Sequence, residues 1–328
     1  MPVTREISPM TRRELFRGAA TVAGGAALAR LYPEWLSVYA QQPAAAPPAD
    51  PLAATRAGMA ATPIQRVPLT NNIALLMGPG GNVVILAGPD GKVVVDSFVQ
   101  GAFAKLREHT AASGKGPITL LIDTHWHFDH TDNNAGFRMA GAEILAHEKT
   151  KQRMSETHDL LGMHFPASPA EALPTQTFTA SKKLEANGET IELAYIQPAH
   201  TDTDIAVHYV NANVIHMGDV FFNGAYPFID ASTGGSINGM IKGAEWGMSV
   251  TDNQTKIIPG HGPIGNKASL TKYRDVLVTV RDRVQKLKAA GKKIEEVVAA
   301  KPTAEFDAVW GKGFMMPNDF VGIVYNTL

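Results

Sequence analysis

Four side chains that can bind a metal ion lie within six residues of one another: His125, His127, Asp129 and His130. The preceding residues 118–123 are an apolar run of strand length, which predicts that the cluster follows a buried strand. Imidazoles and carboxylates bind divalent ions such as zinc, and a His-x-His pair on an extended turn directs two imidazoles at one ion. Neighbouring extended residues face opposite ways, so Asp129 and His130 are expected to serve a second ion. A His-rich surface loop is the alternative interpretation.

Three further candidate ligands lie downstream, each at the end of an apolar run: His200, Asp219 and His261. Glycines and prolines flank His261 and predict a tight turn that presents its imidazole. Each of these residues is a weak signal alone. Their occurrence at three predicted strand ends, in one chain with the first cluster, favours a catalytic metal site over chance.

The order of these residues resembles that of the metallo-β-lactamase superfamily of binuclear metallohydrolases. The His-x-His-x-Asp-His signature stands at residues 125–130 and the following single histidine is His200. The Gly-Asp and Gly-His-Gly elements stand at residues 218–219 and 260–262. The resemblance covers residues 64–265. It implies an α/β fold, the αβ/βα four-layer sandwich of that family.

The resemblance also implies two metal ions per chain. Zn²⁺ is the expected ion, with iron or manganese as alternatives. The implied ligands are His125, His127 and His200 for metal one, Asp129, His130 and His261 for metal two, and Asp219 as a bridge between the ions. One departure is that the chain has Asp132-Asn133-Asn134 where the family often has two glycines before Asn. This departure affects the local turn and leaves the ligands intact.

A hydroxide that bridges the two ions is expected to attack a small-molecule substrate, as in other binuclear hydrolases. Asp129 is expected to steer a proton to the leaving atom, and Tyr226 is a candidate oxyanion donor. Further candidate donors are Asn223, Ser236 and Asn238. A packed aromatic loop is the alternative interpretation of residues 221–230, and its phenylalanines make the pocket apolar in either case. Candidates for holding imidazole N–H groups are Asp96, Asp202 and Asp204.

A bridging Asp219 resembles the thioesterase, lactonase, esterase and phosphodiesterase branches of the family. The sequence therefore predicts a zinc-dependent hydrolase that cleaves an ester, lactone or lactam bond. One alternative is a metallo-β-lactamase acting on β-lactam antibiotics, although the chain lacks the cysteine that one subclass uses. Another is an iron-dependent oxidoreductase on the same fold, a branch that typically has Glu where this chain has His127. A hydroxyacylglutathione hydrolase role is disfavoured, because that substrate is cytoplasmic.

Residues 1–40 resemble an export signal. A twin-arginine pattern at residues 11–16 precedes an apolar stretch at residues 18–29 that is too short to span a bilayer. The expected partner is the twin-arginine export machinery, and the expected location is periplasmic or secreted, with no stable membrane insertion after cleavage. The Ala/Pro-rich residues 41–63 are predicted to be a linker outside the core.

The charge balance argues against a nucleic-acid partner. Residues 1–40 contain five Arg and three Glu, so the remaining chain carries 25 basic and 28 acidic residues without a basic patch. The absence of cysteine excludes disulfides and a thiol nucleophile, and every metal ligand must be nitrogen or oxygen.

The remaining chain predicts one hydrolase domain at residues 64–290 with a helical extension at residues 291–328 packed on it. The first strand is predicted over residues 64–77, and residues 157–175 are predicted to be a long loop or a short helical lid. His147 follows a predicted strand and is expected to have a core or capping role.

Overall fold

The computed structural model of the chain describes residues 52–160 and 162–328. The predicted export signal and the first part of the predicted linker lie outside the described residues. Two β-sheets are stacked face to face, and helices cover both outer faces. This is the αβ/βα four-layer sandwich that the sequence predicted.

The first sheet has seven strands in the order β1-β2-β3-β4-β5-β6-β9. Pairing is antiparallel from β1 to β4 and parallel from β4 to β9. The strands are β1 (Gln65–Pro68), β2 (Ile73–Met77), β3 (Val83–Gly88), β4 (Gly91–Val95), β5 (Ile118–Ile122), β6 (Glu143–His147) and β9 (Gln176–Phe178).

The second sheet has five strands in the order β10-β11-β12-β13-β14, antiparallel except for the last pair. These strands are β10 (Ser181–Ala186), β11 (Glu189–Tyr195), β12 (Ile205–Tyr209), β13 (Val214–His216) and β14 (Lys256–Ile258). A separate hairpin consists of β7 (His158–Leu160) and β8 (Met163–Phe165).

Ten α-helices occur in the described part of the chain. They are α1 (Ala53–Ala60), α2 (Phe103–Ala111), α3 (Phe128–Thr131), α4 (Asn134–Met139), α5 (Glu148–Met154), α6 (Ile237–Ser249), α7 (Lys267–Ala289), α8 (Ile294–Ala299), α9 (Asp307–Trp310) and α10 (Pro317–Asn326). No helix among the described residues is both long and apolar enough to cross a membrane.

The alternation of side chains along β4 explains the layered packing. Val93 and Val95 face the second sheet and join a core with its residues Val207 and Ile258. Val94 points the other way, into a core shared with helices α2 and α4. Because both faces of this strand are covered, its sequence is an uninterrupted apolar run.

A third core joins the second sheet to the C-terminal helices. Ile215 and Ile257 contribute from the sheet, and Tyr273 of α7, Trp310 of α9 and Phe320 of α10 pack in the same cluster. Helical structure in this region was predicted from its apolar spacing, and the structure contains it.

Three local predictions were wrong. The second half of the predicted linker forms helix α1, because alanine is the best helix former, and the buried Leu52 is the N-cap residue of this helix. The first predicted strand is two strands, since residues 69–72 form a turn between β1 and β2. Most of the predicted loop at residues 157–175 is the hairpin β7–β8 and a 3₁₀ turn.

Candidate metal centre

The first ligand cluster follows strand β5, as predicted. The chain leaves the sheet after Ile122, and His127 has extended backbone angles at the start of helix α3. Asp129 and His130 lie inside this helical turn, so they reach a different ligand set from His125 by helical geometry. The sequence predicted two ligand sets, but it attributed them to side chains that alternate along an extended chain, and this explanation was wrong.

The second sheet supplies the other candidate ligands. His200 lies between β11 and β12, while Asp219 lies in the 3₁₀ turn after β13. His261 follows β14, which pairs in parallel with β13. Parallel neighbouring strands end at the same edge of a sheet, and Asp219 Oδ2 lies 3.5 Å from His261 Nε2.

The seven predicted ligands form two sets whose donor atoms lie within 4.8 Å of one another in each set. The sets are His125, His127, His200 and Asp219, and Asp129, His130 and His261. Two donors about 2.1 Å from a tetrahedral ion lie roughly 3.4 Å apart. The observed separations of 3.3 Å between His261 and Asp129 and 3.4 Å between His200 and Asp219 fit this spacing.

The carboxylate of Asp219 lies between the two sets. Its Oδ1 is 3.2 Å from Nε2 of His130, and its Oδ2 is 3.4 Å from Nε2 of His200 and 4.0 Å from Nε2 of His125. This side chain is only 5% exposed. One carboxylate therefore reaches the candidate ligands of both ions.

Most of the candidate imidazoles use their second ring nitrogen to contact the protein. Such contacts fix the ring orientation of metal-binding histidines. The contacts are His125 Nδ1 with Thr124 Oγ1 (3.1 Å), His127 Nε2 with Asp230 Oδ2 (3.2 Å), His130 Nδ1 with Asp96 Oδ2 (2.7 Å) and His200 Nδ1 with the carbonyl of Phe228 (2.9 Å).

Of the three carboxylates predicted to support imidazoles, only Asp96 does so. Asp202 pairs with Arg153, and Asp204 accepts backbone N–H groups in the loop that carries His200. Asp230 supports His127 and was missed, because the two residues are 103 positions apart and no motif surrounds Asp230.

Two glycines allow the backbone to approach the ligands closely. A Cβ atom on Gly81 would overlap the imidazole of His130, and one on Gly260 would overlap Oδ1 of Asp219. The N–H of Gly81 also donates to the carbonyl of Asp129. At these two positions, one in a loop of each sheet, the backbone approaches a candidate ligand so closely that only glycine fits.

Charge is distributed unevenly across the centre. Burial lowers the pKa of His200 to about 4 and outweighs the opposing effect of Asp219. Burial also acts to lower the pKa of His261, yet the carboxylates of Asp219 and Asp129 raise it to about 10. The same balance raises the pKa of His130 well above its ordinary value. Burial thus favours neutral His125 and His200 in the first set, whereas His130 and His261 in the second set lie where positive charge is favoured.

Several atoms that could bind a metal ion are buried, yet they have no hydrogen-bond partner among the described residues. They are His125 Nε2, His130 Nε2 and Asp219 Oδ1. Leaving such atoms unpaired is costly, and metal coordination removes the cost. The nitrogen and oxygen donors, their spacing and this local preference for positive charge all fit divalent cations.

A model of the metallo-beta-lactamase superfamily matches residues 77–282. The chain belongs to the metallo-β-lactamase superfamily. The match contains all seven candidate ligands and both sheets apart from the first strand and most of the second.

Two curated relatives are similar to parts of the chain. The 2,4-dinitroanisole O-demethylase subunit alpha of Nocardioides sp. (strain JS1661) is 28% identical over 109 residues, 33% of this chain. The hydroxyacylglutathione hydrolase of Polaromonas sp. (strain JS666) is 26% identical over 161 residues, 48% of this chain. The chain spans 30% and 54% of the lengths of these two relatives.

Solved structures share the superfamily fold. A metallo-β-lactamase from Pontibacter korlensis aligns with a TM-score of 0.57 and 15% identity, over 66% of this chain and 99% of that chain. The sec-alkylsulfatase Pisa1 from Pseudomonas sp. aligns with a TM-score of 0.61 and 14% identity, over 80% of this chain and 50% of that chain. At such low identities these likenesses establish the fold alone.

Tyr226 does not contribute to the candidate metal centre, and its predicted role as an oxyanion donor was wrong. Its hydroxyl donates to Asp307 and its ring stacks on Phe320, in the core beneath the C-terminal helices. The other three predicted donors are engaged elsewhere. Asn223 donates to the carbonyl of Pro263, Ser236 caps helix α6, and the exposed Asn238 accepts from Arg281.

The departure at residues 132–134 has a structural role. The side chain of Asn133 donates to backbone carbonyls of the loop at residues 97–99. Asn134 donates to the buried carboxylate of Asp123 at the end of β5. The asparagines thus fix helices α3 and α4 to the strand-end loops and leave the ligands in place.

Proposed function

We propose that this chain is a zinc-dependent hydrolase of ester, lactone or lactam bonds, with two ions per chain. The observation that carries the proposal is the position of Asp219, which lies 3.2 Å from His130 and 3.4 Å from His200. A carboxylate that reaches both ligand sets would help to hold two ions, and a bound pair of ions would supply an activated water and polarise the attacked oxygen.

The protein's own residues hold two imidazoles of the first ligand set in the form that binds metal. His125 and His200 have lowered pKa values, chiefly because they are buried, and neutral imidazole is the ligand form. Asp96 holds His130 through a 2.7 Å contact. Asp129 and His261 are 13% and 32% exposed, so a substrate approaches from their side. There, Asp129 accepts the proton of the attacking water and passes it to the leaving atom.

The names of similar proteins support a hydrolysed bond to oxygen, sulfur or nitrogen. A hydroxyacylglutathione hydrolase is similar over about half of this chain, and metallo-β-lactamases share its fold. The O-demethylase relative suggests a bond between carbon and oxygen as well. The test therefore compares bond types.

The experiment measures hydrolysis by the full chain after zinc loading and after EDTA treatment. The substrates are p-nitrophenyl acetate, γ-butyrolactone, a chromogenic cephalosporin and a hydroxyacylglutathione thioester. We expect at least one to be cleaved in a chelator-sensitive manner, with the rate restored by zinc. Metal analysis after native expression distinguishes zinc from the iron expected of an oxidoreductase.

Asp129→Ala is the decisive variant, because it removes both a candidate ligand and the proton carrier. We expect it to lower kcat by about 100-fold or more. Asp202→Ala is the matched control, since its carboxylate pairs with Arg153 outside the centre. Hydrolysis that survives EDTA, or that Asp129→Ala leaves unchanged, would contradict the proposal.

We further propose that residues 1–40 direct export through the twin-arginine machinery. The support is the paired Arg12 and Arg13 before the short apolar stretch. Cell fractionation of the wild type and of a variant with both arginines changed to lysine tests this. A periplasmic or secreted wild type and a retained variant are expected, and equal distribution would refute the signal.

A further inference from the structure

Aromatic rings surround the candidate metal ligands on one side. Phe222 stacks on His261 with 5.4 Å between ring centroids and also contacts His200. Phe228 lies 5.9 Å from His127 and 5.8 Å from His200. The backbone carbonyl of Phe228 accepts from His200 Nδ1, so the backbone that carries this ring is fixed relative to the centre.

The C-terminal segment adds a third ring to the aromatic surface formed by Phe222 and Phe228. Phe314 lies edge-on to Phe228, with 6.4 Å between centroids and an angle of 86°. Its side chain is nevertheless 75% exposed. An exposed phenyl ring that extends an aromatic surface from a catalytic centre provides apolar area that folding itself does not use.

The segment that carries Phe314 is fixed by its neighbours. The carbonyl of Trp310 accepts from the N–H of Tyr226, and Met315 is buried in the C-terminal core. Gly313 lies so close to Ala225 that a Cβ atom would come within 2.7 Å of its methyl group. These contacts leave the ring of Phe314 on the outside of the fold and next to the loop of Phe228.

Exposed apolar side chains are concentrated in this segment. Six large hydrophobic residues are exposed in the described part of the chain, and three of them, Val309, Phe314 and Met316, lie within eight residues. The apolar surface continues from the imidazoles through Phe228 to Phe314. Because this apolar surface is continuous with the metal centre, the group that covers it is part of the substrate.

We infer that the substrate has an apolar substituent beside the bond that is cleaved, and that Phe314 with Phe228 binds it. The inference rests on the proposed function and specifies its substrate class. Phe314 is then a residue that determines specificity. The C-terminal extension contributes directly to the site.

The test compares substrates that differ only in apolar length. We would measure kcat/KM of the zinc-loaded full chain for p-nitrophenyl acetate and hexanoate, and for methyl and hexyl acetate. The wild type is expected to prefer the longer member of at least one pair. Phe314→Ala should reduce that preference by about tenfold, the effect of losing one favourable aromatic contact. Phe314→Leu should retain most of it.

Met139→Ala is the matched control, because this residue is also exposed and lies at the C-terminal end of helix α4. Its preference should equal that of the wild type, and zinc content should be the same in all variants. An unchanged preference in Phe314→Ala would overturn the inference. So would a variant that keeps the preference but loses binding to phospholipid vesicles, since the ring would then serve a lipid surface.

A binding measurement separates this inference from the proposed reaction. Calorimetric titration of hexanoate and acetate into the zinc-loaded chain reports the apolar contact without turnover. Tighter binding of hexanoate that Phe314→Ala abolishes supports the inference even if none of the esters is cleaved. Ester hydrolysis without any dependence on Phe314 supports the reaction and refutes the substrate class.

Discussion

The carboxylate of Asp230 links a loop of the second half of the chain to a candidate ligand of the first half. It accepts from Ser232 and Thr233 in its own loop and lies 3.2 Å from Nε2 of His127. Because this contact fixes the tautomer of His127, its Nδ1 faces the centre, where it lies 2.8 Å from Nε2 of His200.

We expect Asp230→Ala to weaken zinc binding by about 10- to 100-fold, the usual effect of losing a partner of a ligating histidine. Competition against a chromogenic chelator measures the affinity directly. Asp230→Asn keeps a hydrogen-bond acceptor, so its zinc affinity should lie between those of the wild type and Asp230→Ala. Asp202→Ala should bind zinc like the wild type, and equal affinity in Asp230→Ala would refute the supporting role.

Gly81 is a second residue whose effect can be isolated. A methyl group at this position overlaps the imidazole of His130, which belongs to the second ligand set. We therefore expect Gly81→Ala to lose about one of two zinc equivalents, as measured by metal analysis after dialysis. Gly58→Ala, on helix α1 with open space around it, is the control. If Gly81→Ala retains two zinc ions per chain, the site of His130 tolerates the displacement of its imidazole, and the prediction is wrong.

At the scale of elements, the sequence predicted best where the signal is local. The candidate ligands at residues 125–130 follow one strand, and their spacing predicted a metal cluster whose side chains the fold brings together. Phe314 could not be predicted, because its importance depends on a contact with Phe228 that only the folded chain creates. Helix α1 was missed because an Ala/Pro-rich composition describes both linkers and short helices, and packing decides between them.

Helix α5 offers a test of a predicted capping role. His147 is its N-cap residue, and Nδ1 accepts from the N–H of Lys149 while Nε2 donates to the carbonyl of Thr179. This arrangement requires a neutral ring, and burial lowers the pKa of His147. The structure thus confirms the cap and makes it sensitive to pH.

The unfolded chain binds the proton at a pH of about 6.5, above the folded pKa of His147. Stability from the neutral ring is therefore present above that pH and is lost as the pH falls through the folded pKa. Urea unfolding at pH 7.5 and 5.5 should give a wild type that loses more stability than His147→Asn, which caps without titrating. His147→Ala should cost about 1 kcal/mol at pH 7.5. Parallel losses in wild type and His147→Asn would contradict this assignment.

At the scale of the whole molecule, the centre joins the two sheets. His125, His127, Asp129 and His130 follow a strand of the first sheet, whereas His200, Asp219 and His261 come from the second. Each candidate ion therefore has ligands from both halves of the sandwich. Binding energy in the centre is consequently also energy that holds the sheets together.

Metal removal should lower the stability of the whole fold. A ligand at 100 times its Kd adds about 2.7 kcal/mol to the free energy of unfolding, and roughly 2–4 °C of Tm accompanies each kcal/mol in a domain of this size. We expect EDTA to lower Tm by about 5 °C or more, and zinc to restore it. Asp219→Ala removes the carboxylate that reaches both sets, so zinc should raise its Tm by much less. If EDTA leaves the Tm of the wild type unchanged, the ions do not bridge the sheets, and the ligand assignment fails with it.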